Sequence, residues 1–127
     1  MKYESDLSYD ALRKLVVADF FEPLTRGEIA AAVAPLHPHI RLWTQVGRQS
    51  FNGIEAVSAA LAEVAAQIAE ARLGERGTIV DTQAGRATLS FNAVDTDRGR
   101  RVNALFVRVS GEKIEDIQYF VGGARVA

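Results

Sequence analysis

The chain changes its hydrophobic rhythm part-way along. Through about residue 68, apolar positions recur mostly every three or four residues, as on one face of a helix. From Thr78 onward they fall in short runs rich in β-branched and aromatic residues, separated by turn residues. Ser8 is placed to cap a first helix, with Asp10 in the first turn, where a carboxylate meets the positive end of the helix dipole. Leu12, Leu15, Val16 and Phe20 supply its apolar face. Pro23 marks its expected end, because proline lacks a donor and crowds the preceding turn. Thr25-Arg26-Gly27-Glu28 has the form of a capping box for a second helix over Ile29 to Ala34, stopped by Pro35. Ile40, Leu42, Thr44 and Val46 share one face of an alternating segment, read as a strand. Asn52 is the expected cap of a third helix, with Glu55 three residues on. Ile54, Val57, Leu61, Val64 and Ile68 form its stripe, and Gly74 and Gly77 bracket its exit.

Four further segments read as strands: Thr78 to Gln83, Arg86 to Val94, Arg101 to Val109 and Ile114 to Val121. The turns between them are short, which favours antiparallel hairpins, since parallel crossovers need a dozen or more residues. The predicted order is ααβαββββ. It describes an α+β fold with helices packed on a curved antiparallel sheet, a cone-like barrel forming a single domain over residues 1–127. Val102-Asn103-Ala104-Leu105-Phe106-Val107 is almost continuously apolar, so both faces of that strand should be covered. One face lies on the helices. Nothing else in the chain is left to cover the other, which predicts a homodimer through the outer face of the sheet.

Composition narrows the partners. The 15 basic and 16 acidic residues nearly cancel, leaving −1, which does not suit a nucleic-acid binder. With no cysteine there is no disulfide, thiolate metal site or cysteine nucleophile. The start, Met1 to Asp6, is polar and unlike a signal peptide, and Ile54 to Leu73 carries Glu55, Glu63, Glu70 and Arg72, too many charges for a membrane span. The expectation is a cytoplasmic protein with no membrane or nucleic-acid partner. Arg98-Gly99-Arg100-Arg101, next to Asp95 and Asp97, reads as a solvated hairpin tip. His37 and His39 offer two ligands with no third, so no metal site is expected. Gly122-Gly123 follows the last strand rather than preceding a helix, so no phosphate loop and no cofactor is expected.

Three local features, in this order of elements, resemble the nuclear transport factor 2-like superfamily. They are Arg26-Gly27-Glu28 between the first helices, Phe51-Asn52-Gly53-Ile54-Glu55-Ala56-Val57 at the start of the third, and Gly111 to Phe120 in the closing hairpin. The group includes SnoaL-like polyketide cyclases, ketosteroid isomerases, limonene-epoxide hydrolases and non-enzymatic domains, so the resemblance implies a fold and leaves the function open. The isomerase mechanism needs a carboxylate base, a tyrosine and a protonated aspartate. Matching motifs puts Thr44 at the base position, Phe20 at the tyrosine and Leu105 at the aspartate. None can perform the corresponding role. The epoxide hydrolases' Asp-Arg-Asp set has Arg108 and Asp116 as its nearest counterparts, and strand alternation sends both to the outer face.

The predicted inward set is Phe20, Leu42, Thr44, Leu61, Asn103, Leu105, Val107, Ile117, Tyr119 and Val121. It is mostly apolar, with Thr44, Asn103 and Tyr119 as polar anchors and no assigned catalytic base. Such a set suits a hydrophobic small molecule held by a few hydrogen bonds, as in an isomerase- or cyclase-like enzyme. It equally suits a filled core whose polar groups satisfy one another. The alternative function is a non-enzymatic module for dimerisation or protein interaction.

Overall fold

Ser8 opens the first helix as expected, its Oγ accepting from the Ala11 N–H at 3.2 Å. The computed structural model describes residues 7–68, 72–82, 84–95 and 99–122, with the backbone alone described at 72–77, 93–95 and 99–101. Helix α1 (Tyr9–Arg13) runs on through a widened π-helical stretch, Lys14–Phe21, into α2 (Glu22–Thr25). The rod therefore passes Pro23 instead of ending there. In the wide turn before the proline the Glu22 N–H donates to the Val17 carbonyl, five residues back, where the backbone tolerates the ring that an α-helical turn would reject. Leu12, Val16, Phe20 and Leu24 are fully buried along this rod.

The supposed capping box does not form. The Thr25 hydroxyl donates to the Glu22 carbonyl at 2.8 Å, closing α2, and Gly27 at φ +73 turns the chain. Glu28 pairs with Arg26 Nε at 3.2 Å, so α3 (Ile29–Val33) starts without a side-chain cap. Strand β1 (Leu36–Thr44) begins earlier than its alternation suggests. A short 3₁₀ turn at Val46–Arg48 leads into β2 (Gln49–Asn52), an edge strand that the sequence reading lacks. Asn52 consequently belongs to a strand, opposite Arg41, and the cap of α4 (Ile54–Gln67) is Gly53 at φ 89. Strand β3 (Arg72–Asp81) takes in Gly74 and Gly77, which fall in the irregular stretch between Leu73 and Thr78 rather than at a helix exit. The remaining strands, β4 (Arg86–Asp95), β5 (Gly99–Ser110) and β6 (Lys113–Phe120), lie close to their predicted spans.

The six strands form one sheet in the order β2-β1-β6-β5-β4-β3, antiparallel throughout except for the parallel β1–β6 pair. Helix α4 packs against β1 and β2, and α3 against α4, so the helices fill the hollow of the sheet. Register sorts the side chains into rows. On the inner face Gln49, Thr44, Tyr119, Leu105, Leu89 and Thr78 stand side by side across the sheet. A second inner row joins Phe51, Leu42, Ile117, Val107, Ala87 and Val80. The outer face shows Ser50, Trp43, Gln118, Phe106, Thr88 and Ile79 in one row. Beside it runs a charged row of Arg41, Asp116, Arg108, Arg86 and Asp81.

The chain closes tightly after β6. A Cβ on Gly122 would lie 2.1 Å from the Val102 carbonyl oxygen, a backbone atom with little freedom to retreat. Gly122→Ala is therefore expected to lower stability by roughly 1–3 kcal/mol, seen as a lower urea midpoint. An unchanged midpoint would mean that this end of the chain is loosely held. No helix among the described residues is long and apolar enough to cross a membrane.

Candidate functional site

The inward set comes together as a cluster. Phe20, Leu61, Leu105, Ile117 and Tyr119 have no exposed surface, Leu42 and Val107 almost none, and Val121 packs half-buried against the same core. Thr44 and Asn103 are its buried polar members. Burial of large apolar side chains contributes roughly 1.5–3 kcal/mol each, so this cluster is a principal source of stability.

Its polar atoms are used internally. Asn103 Nδ2 donates to the Tyr119 hydroxyl at 3.1 Å, and that hydroxyl donates to Gln67 Oε1 at 3.4 Å. Asn103 Oδ1 accepts from the Gly122 N–H at 3.2 Å. The Thr44 hydroxyl donates to the Val46 carbonyl at 2.7 Å, and Gln45 Oε1 accepts from the Val121 N–H at 2.9 Å. These bonds tie β5, β6, α4 and the end of the chain together. Removing one partner strands the others, so Asn103→Ala is expected to cost about 1–3 kcal/mol in chemical unfolding. Full retention of stability would indicate that water replaces the amide.

Sequence reasoning found Thr44, Asn103 and Tyr119 but missed Gln45, Gln67 and Gly122. Gln67 had a legible signal: with Ala60, Glu63 and Val64 it follows i, i+3, i+4, i+7 spacing along the edge of the apolar stripe. Gln45, through its side-chain amide, and Gly122, through its backbone N–H, meet partners distant in the chain, which residue type does not reveal.

The register is instructive for the three isomerase positions. Thr44 and Leu105 flank Tyr119 directly in one inner row, so the tyrosine stands between the base and the donor positions. Phe20 is fully buried as hydrocarbon. At these positions the cone offers neither a proton acceptor of suitable basicity nor an oxyanion donor pair. The opening above them is a recess of about 60 Å³ between the β1–β2 turn and α4, lined by Thr44, Gln49, Phe51, Glu63, Gln67 and Tyr119 among others.

The outer face is different. Arg108 and Asp116 face each other across β5 and β6, as alternation predicts. Arg108 donates to Glu115 Oε1 at 3.3 Å, while Arg41 Nε lies 3.7 Å from Asp116 Oδ1. A register irregularity between Arg108 and Val109 accompanies this arrangement, in which the consecutive Glu115 and Asp116 both lie near arginines. Next to the charges runs an aromatic ladder, with the Trp43 and Phe106 rings each 5.3 Å from Phe120. Phe106 is 44% exposed, Val102 47% and Ile79 66%. Two shallow depressions, of about 280 and 400 Å³, lie over this face, both bordered by Arg41, Asp116 and Gln118.

His39 N–H donates to His37 Nδ1 at 3.0 Å, which takes one ring nitrogen into a local turn. No group of three metal-ligating side chains occurs among the described residues. The N-terminal Met1 to Asp6, Glu70, Thr96, Asp97, Arg98 and Gly123 lie outside the described residues, as do the side chains of Asp95, Arg100 and Arg101.

The curved six-stranded sheet with helices filling its hollow is the nuclear transport factor 2-like fold, and comparison with known structures agrees. A nuclear transport factor 2-like protein of unknown function from Burkholderia xenovorans superposes with a TM-score of 0.75 over 93% of this chain and 88% of its own, at 8% identity. A candidate ketosteroid isomerase from Kribbella flavida gives 0.72 over 93% and 82%, at 18% identity. A de novo designed protein with a curved β-sheet gives 0.74 over 91% and 88%, at 20% identity. No family model and no curated protein matches the sequence. At such identities the likeness establishes the architecture.

Proposed function

We propose that this chain is a homodimeric interaction domain that works through the outer face of its sheet, in a cytoplasmic setting, by binding rather than by chemistry. The observation that carries this reading is the aromatic ladder at the centre of the sheet, in which the exposed Phe106 stands against the half-buried Phe120 and Trp43. Apolar patches of this kind are uncommon on monomers. A second copy is the fitting occupant because the face carries both signs of charge, Arg41 beside Asp116 and Arg108 beside Glu115, and is therefore able to complement itself about a two-fold axis. The interior supports the same reading from the other side, since its polar groups are paired with one another. That a designed protein shares the architecture supports treating fold and chemistry separately. The test is the mass in solution of the chain and of Phe106→Asp, with association in the first and its loss in the second as the expected results.

A second reading, a small-molecule site in the mouth of the cone, draws on the recess above Tyr119. Its 60 Å³ is well below the roughly 300–1,000 Å³ of ordinary ligand sites, which restricts it to very small molecules. A thermal-shift series with steroid, polyketide and terpenoid probes addresses the larger hydrophobic ligands. Saturable stabilisation by any of them would show that the cone opens further than its resting geometry.

A further inference from the structure

The recess at the mouth of the cone has a charge character of its own. Resting on the second reading above, we infer that it binds a small organic ammonium ion of the methylated-amine class. Four residues on one face of α4 line one side, Ala60, Glu63, Val64 and Gln67, and Tyr119 forms part of the floor. Glu63 is the one charged residue among the described lining residues; Arg48, next in the chain to Gln49, does not line it. The recess also lies beside the C-terminal half of α4, the negative end of the helix dipole, and no basic residue occupies the last turn. Carboxylate and helix end thus act with the same sign.

The remaining walls determine what kind of cation fits. Val46, Phe51, Ala60 and Val64 are apolar, which suits methyl groups better than a strongly hydrated metal ion. The Tyr119 hydroxyl accepts from Asn103 and donates to Gln67 Oε1, so its hydrogen is already engaged by another residue of the recess. The same bond holds Gln67 Oε1 in place, with a second lone pair for an N–H donor. A volume of about 60 Å³ limits the occupant to a few heavy atoms, the size class of a small methylated ammonium ion.

The test is a two-dimensional amide NMR titration with trimethylammonium chloride, with sodium chloride at equal ionic strength as background and tert-butanol as the uncharged probe of similar shape. Saturable shifts at Glu63, Gln67 and Gln49 are expected with the ammonium ion alone. Glu63→Gln, at an exposed position that tolerates the change, should weaken them about fivefold, as loss of one exposed charge contact predicts. Equal binding of tert-butanol, or unchanged affinity in Glu63→Gln, would overturn the cation inference while leaving a small-molecule site. No saturable shift with either probe would overturn both the inference and the second reading.

Discussion

Tyr119→Ala is expected to remove about 3–5 kcal/mol of folding stability, as for other large aromatic truncations in cores. Tyr119 is wholly buried, is flanked by Thr44 and Leu105 in its row, and joins Asn103 to Gln67. Truncation would leave a cavity bounded by elements that are pinned elsewhere, and would strand the Asn103 amide. Tyr119→Phe separates the two contributions. It keeps nearly all the volume and loses only the hydroxyl, so a cost of about 1–3 kcal/mol is expected. Urea unfolding of both variants measures the difference. If the alanine variant lost under about 1 kcal/mol, the cone would not be packed around this residue and the interior would have to be read as a ligand space.

The second large effect concerns association. Phe106→Asp is expected to convert a dimer into a folded monomer, weakening association by about 2 kcal/mol or more, roughly thirtyfold, as for a central aromatic anchor. Phe106 sits at the middle of its outer row, between Gln118 and Thr88, and its ring packs edge-on to Phe120. Because it is 44% exposed in the single chain, the aspartate has solvent to occupy and the fold should survive. Light scattering after size-exclusion chromatography reads the mass, and far-ultraviolet circular dichroism checks the fold. Retention of the dimer by a folded Phe106→Asp would move the interface elsewhere.

The fold was legible where local pattern and tertiary demand agree. The stripe of α4, the β5 run and the closing hairpin all project one face into one core, so periodicity alone locates them. It was less legible where a residue serves a neighbour distant in the chain. Pro23 reads as a stop, yet the widened turn before it lets the helix continue. Thr25 and Asn52 read as caps because their spacing fits, but one closes the preceding helix and the other pairs in β2. Edge strand β2 is four residues long and mostly exposed, too short and too polar to show a two-residue rhythm. The ten inward positions followed from alternation and helical spacing, whereas the bonds among them required three-dimensional registry. Asn103 and Tyr119 are sixteen residues apart in sequence and hydrogen-bonded in space.

The same contrast separates the two faces of the sheet. Inside, Asn103, Tyr119 and Thr44 have partners supplied by the chain itself. Outside, Phe106 and Val102 are exposed in the single chain, and the flanking ion pairs retain partly exposed groups. The most direct measurement is the mass of the unaltered chain in solution by light scattering, from low to high micromolar concentration. The account predicts a species of twice the 13.8 kDa chain mass. A constant 13.8 kDa across that range would contradict it.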